Sequence, residues 1–155
     1  MRRFIPIALL FGLFVAVTSL PARDSEQKFK TAEVKHLTKL DDVDLSQDFL
    51  NHAYDYLRED LQKTKLFGAV VGDGDTVPDA DAADSVIVEC KIVEYSKGHI
   101  TVSTGHMEIT IYRRSDHIVI QHFDVKVGWP AHAKDDFKGK YTGAQVAHEI
   151  KNAFK

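Results

Sequence analysis

The sequence predicts an α/β (α+β) domain: a two-layer sandwich of a mixed sheet of about five strands with two helices on one face, in the order β-α-β-β-β-β-α. Two stretches carry apolar residues at helical spacing, one from Leu45 to Leu61 and one from Val146 to Phe154. The segments around them alternate or run apolar in the manner of strands. One sheet surface is the simplest place to bury both helical stripes.

Taken in order, residues 29–37 read as a first strand. Asp44-Leu45-Ser46-Gln47 offers a capping box with Asp44 as the cap. Leu45, Phe49, Ala53, Leu57 and Leu61 then recur every four residues, widened by Leu50 and Tyr54. Asp48, Asn51, Asp55, Arg58, Glu59 and Gln62 form the opposite, polar face, where Arg58 is spaced to pair with Asp55. Leu66–Val71 is a short apolar run that suits a second strand. Residues 72–84 are a loop with five Asp, two Gly and one Pro.

From Ser85 to Tyr95, Val86, Val88, Cys90 and Ile92 fall on one side of an alternating strand. Cys90 reads there as a small buried hydrophobe. Residues 106–113 and 117–127 form a hairpin. Met107, Ile109 and Ile111 share a face with Phe123 and Val125 only if odd positions pair with odd ones. That favours a three-residue loop at Arg114-Ser115-Asp116, which sets Met107 opposite Phe123 and Ile109 opposite Gln121. Residues 128–140 read as a second long loop. Thr142-Gly143-Ala144-Gln145 is a capping box opening the last helix, whose buried side carries Val146, Ile150, Ala153 and Phe154. A helix between its flanking strands permits parallel pairing there, and the later strands are antiparallel.

Residues 1–22 read as a signal peptide and 23–155 as a single envelope domain. Arg2 and Arg3 precede an apolar stretch, Phe4–Val17, shorter than the ~20 residues of a spanning helix, with small residues at Ser19 and Ala22. Removal of this segment leaves 18 basic against 23 acidic side chains, a charge near −5. Such a balance argues against nucleic acid as a partner. No Cys follows the apolar stretch, so no lipid anchor and no integral span are expected after signal removal. The expected location is periplasmic or secreted.

Two segments resemble a known group. The helix-to-strand step Leu61-Gln62-Lys63-Thr64-Lys65-Leu66-Phe67 and the strand Ala83-Asp84-Ser85 through Glu94-Tyr95 resemble those of secreted bacterial families of unknown function. These are built like the amino-terminal domain of TolB and the core of CsgG. The resemblance covers residues 29–155 by element order. It implies a non-enzymatic envelope module that binds another envelope or secreted protein, or assembles a complex with it. No functional motif is there to carry over.

The residues themselves offer no catalytic set, and no catalytic, cofactor or metal residue is assigned. Gly-x-Ser-x-Gly and phosphate-loop motifs are missing. The acidic loop 73–84 departs from an EF-hand, with Val77 and Pro78 where an oxygen ligand and Gly belong. The eight His are scattered, without the spacing of a metal site. The alternative function is a small-molecule or metal-binding periplasmic protein using those His and that loop. The candidate interaction loop holds Trp129, His132, Phe137 and Tyr141 among Lys134, Lys138 and Lys140. Its plainer explanation is that Trp129 and Phe137 fold down over the sheet end.

Overall fold

The computed structural model describes residues 28–155. The expected signal peptide, residues 1–22, therefore lies outside the described residues. Strand β1 (Phe29–Val34) leads through a two-residue β2 (Thr38–Lys39) to helix α1 (Gln47–Lys63) and strand β3 (Phe67–Val71). A single 3-10 segment, Asp79–Asp84, precedes β4 (Ser85–Ser96), β5 (Val102–Arg113), β6 (Val119–Pro130) and helix α2 (Asp135–Ala153). The sheet order is β3-β1-β4-β5-β6, with β2 paired to β4. Pairing is parallel from β3 to β4 and antiparallel from β4 to β6. The architecture is the expected α+β sandwich. The first strand stops at Val34, short of the expected residue 37, and the separate β2 makes six strands rather than five.

Helix α1 starts where a side chain can satisfy its free amides. Ser46, not Asp44, is the cap: its Oγ accepts from Phe49 N at 3.0 Å. The same hydroxyl donates to Asp135, at the start of α2. Phe49, Leu50, Ala53, Tyr54, Leu57 and Leu61 are buried, as their spacing requires. Arg58 does not pair with Asp55; its guanidinium lies over the Tyr54 ring, 5.3 Å from the centroid. After Thr64, Lys65 takes φ of 59°, a left-handed residue that turns the chain into β3.

The hairpin reaches the expected face pairing by a different device. Arg113 N donates to Ile118 O, so four residues form the loop, with His117 left-handed at φ of 55°. Register then shifts between Ile111/Gln121 and Tyr112/Val119, leaving Ile120 as a bulged residue. The bulge restores odd-to-odd pairing two residues along. Met107 faces Val125 instead of Phe123, and Ile109 faces Phe123 instead of Gln121.

The second expected loop is mostly regular structure. β6 continues to Pro130 and α2 begins at Asp135, so the Thr142 capping box is not a helix start. Thr142 lies two turns inside α2, fully buried. The helices pack closely because α2 presents glycine to α1. A Cβ on Gly143 would stand 2.6 Å from Leu57 N, and one on Gly139 would stand 2.8 Å from Ala53 N. Cys90 is buried between sheet and helices, and burial pushes its thiol up to about 12.

Candidate functional site

The carboxyl end of β6 and the first turns of α2 form an aromatic corner. Ala131 N donates to Thr101 O and Ala133 N to Pro130 O, which folds the connection tightly into the helix. The first turn of α2 carries Asp135 and Asp136, favourable at a helix amino terminus. Both are tied to α1. The Ser46 hydroxyl, with Lys138 adding to it, holds the Asp135 carboxyl below the usual range. Tyr56 donates to Asp136 at 3.1 Å, which raises the phenol's own pKa. With the glycine side of α2 against α1, Phe137 and Tyr141 face outward, 51% and 47% exposed. Beside Phe137 lies a largely apolar depression of about 410 Å³, lined also by Pro130, His132 and Ala133, with Lys134 and Asp136 at its charged margin.

Trp129 belongs to the core instead. It stands on β6, 1% exposed, with its indole N–H donating to Thr142 Oγ1 at 3.0 Å. Its ring meets Phe49 edge-on, 5.6 Å between centroids, and covers Gly105, where a Cβ would come within 2.5 Å. The plainer explanation thus holds for Trp129 and fails for Phe137. Of the four candidates, the structure brings His132 and Phe137 to one depression and sets Tyr141 one turn further along α2.

A second polar site was not legible in the sequence. Glu33, 3% exposed, is salt-bridged by Lys35 at 2.7 Å and by Arg114, and it accepts from the Gly74 amide at 3.3 Å. Lys35 also binds Asp73 at 2.9 Å and holds that carboxyl below the usual range. Alternation alone marks Glu33 as one more polar strand residue; Arg114 approaches from 81 positions away. The acidic loop is drawn into the same structure. Asp75 accepts from the Gly72 amide at 2.6 Å, and Asp81 pairs with Lys30 at 2.8 Å.

The His are dispersed over several elements. His122 stands opposite Thr110 on β5 and bonds its hydroxyl at 3.0 Å. His106 lies on the uncovered sheet face, its Nε2 3.6 Å from Asp124 and its Nδ1 4.0 Å from Glu94. His106 and Glu94 line a cavity of about 380 Å³ with Thr104 and Lys126. Among the described residues, no three His, Cys, Asp or Glu are grouped to hold a metal ion.

This is a two-layer α+β protein whose exposed aromatic corner sits beside the end of its sheet. No family model matches the chain. No curated protein matches it by sequence. Solved structures do share its fold. The PelC dodecamer from Paraburkholderia phytofirmans aligns at TM-score 0.57 and 9% identity over 83% of this chain and 91% of that one. XCC0632 from Xanthomonas campestris, a DUF330 protein, aligns at TM-score 0.53 and 10% identity over 83% of this chain and 82% of that one. At such identities the likeness establishes the fold alone. These comparisons do not show the expected resemblance to TolB and CsgG.

One expectation is corrected by the same comparisons. The structures similar to this chain include lipoprotein GNA1162 from Neisseria meningitidis, at TM-score 0.46 and 10% identity over 79% of this chain and 99% of that one. The exclusion of a lipid anchor is withdrawn. The residues on which that exclusion rested lie outside the described ones. Among the described residues, no helix is long and apolar enough to cross a membrane.

Proposed function

We propose that this chain is an exported, non-enzymatic module of the bacterial cell envelope that docks another envelope protein through the aromatic corner. The observation that carries this reading is the pair Phe137 and Tyr141, one helical turn apart and about half exposed beside an apolar depression. Half-exposed aromatics around a small pocket are what protein interfaces use as anchors. Lys134 and Asp136 at the margin supply the polar rim. The fold shared with the PelC dodecamer supports a role in assembly.

A photo-crosslinking residue at position 137, introduced in cells of the source organism, tests the reading. It is expected to trap one envelope protein as a discrete adduct, whereas the same probe at exposed Glu59 on α1 traps none. Adding Tyr141→Ala to the probe-bearing chain should weaken the adduct several-fold. Equal labelling from both probe positions, or none from 137, overturns the assignment. The small-molecule alternative has one specific observation behind it, the unpartnered Nε2 of His106 facing Asp124. It would use that cavity, because Asp73, Asp75 and Asp81 of the acidic loop are already engaged.

A further inference from the structure

Strand β6 ends the sheet with one edge unpaired. It is twelve residues long, against five for β3 at the opposite edge. Ala131 N donates to Thr101 O, and the register from Gln121 to Pro130 is unbroken. In an antiparallel ladder the backbone groups of successive residues turn alternately toward and away from the partner strand. The odd residues of β6 therefore bond to β5, and His122, Asp124, Lys126 and Gly128 turn their N–H and C=O outward. Among the described residues nothing bonds to these outward groups. Pro130, with no N–H, ends the row.

We infer that this edge pairs with the same edge of a second copy, antiparallel, with Val125 on the two-fold axis. The charges select the register. With Val125 opposite its own copy, Asp124 stands directly opposite Lys126 of the other chain, and the reverse pair repeats the contact. His122 then faces Gly128, which has no side chain to obstruct it. Shifting the axis by one residue keeps the hydrogen-bond pattern but sets Asp124 against its own copy in one direction and Lys126 against its own copy in the other. Either arrangement opposes like charges.

A Lys alone on an edge guards against pairing. A Lys and an Asp placed symmetrically about Val125 instead complement each other across a two-fold axis. On the helix side the same register brings Phe123, half-buried at the edge, opposite Val127. The ladder from His122 to Gly128 contains about eight backbone hydrogen bonds. The inference does not depend on what the aromatic corner binds, since Phe137 and Tyr141 lie on α2.

Sedimentation equilibrium of the purified exported protein, with charge-swapped variants, provides the test. The wild type is expected to form a dimer whose dissociation constant rises about tenfold or more in Asp124→Lys and in Lys126→Asp, each of which opposes like charges. The double variant D124K/K126D restores opposite charges and should recover the wild-type constant. All these side chains are exposed, so circular dichroism and melting temperature should stay close to wild type in each variant. Amide exchange at Asp124, Lys126 and Gly128 should slow as protein concentration rises. A monomer at every accessible concentration overturns the inference, as does a dimer indifferent to the single reversals or not recovered by the double one.

Discussion

The two faces of one sheet follow different rules. The covered face carries Val88, Cys90 and Ile92 on β4, Met107, Ile109 and Ile111 on β5, and Val125, Val127 and Trp129 on β6, each at most 3% exposed. Its residues are held by volume, as Trp129 over Gly105 illustrates. The open face carries Glu89, Lys91, Thr104, Glu108 and Lys126, which water can solvate. Only where the open face is itself roofed, at Glu33 beneath Lys35 and Arg114, does charge become structural. The contrast teaches that burial decides what a residue is worth, whichever face it occupies.

The sharpest way to break the contrast is Trp129→Ala. It empties the space above Gly105 and orphans Thr142 Oγ1, and it should cost about 3–5 kcal/mol in chemical denaturation. Lys91→Ala on the open face should stay within about 0.5 kcal/mol by the same measurement. Equal losses from the two would abolish the distinction between the faces.

A middle-sized effect is expected from Arg114→Ala, which takes one cation from a buried carboxylate while leaving Lys35 in place. The expected loss is about 1–3 kcal/mol, read from the midpoint of urea unfolding. A neutral result would show that Lys35 and the Gly74 amide satisfy Glu33 unaided.

The smallest effect concerns pH. Asp73 and Asp135 have native carboxyl pKa values below the ordinary one, held there chiefly by Lys35 and by the Ser46 hydroxyl. A depressed native pKa stabilises the fold fully above the unfolded value, about 3.9 for Asp, and the gain is lost as pH falls through the native value. Calorimetric melting temperatures should therefore change little between about pH 7 and 5 on this account and fall below about pH 4. Asp73→Asn should lower the plateau and make the acid decline shallower; an unchanged slope would remove Asp73 from that decline.

Legibility in the sequence varied with the range of the forces involved. The stripe from Phe49 to Leu61 and the alternation from Val86 to Ile92 identified their elements because a local period reports which side is buried. The α2 start was misplaced because Thr142-Gly143-Ala144-Gln145 has the form of a capping box, whereas the true start at Asp135 has no side-chain cap of its own and is bonded to Ser46 across the helix pair. The hairpin register depended on a bulge at Ile120, which carries no marker of composition. At the candidate site, aromatic content singled out Trp129 and Phe137 alike. Composition could not tell that one would fill the core and the other face water.

By itself the sequence determined the class of fold, the two amphipathic helices, the parity of the hairpin and the burial of Cys90, since each follows from periodicity or from the chemistry of adjacent residues. The tertiary structure alone decided that Trp129 lies over Gly105, that Glu33 meets Arg114, and that the β6 edge presents Asp124 and Lys126 in a self-complementary order. Those facts depend on which distant segments meet and in what register, and no local period encodes either.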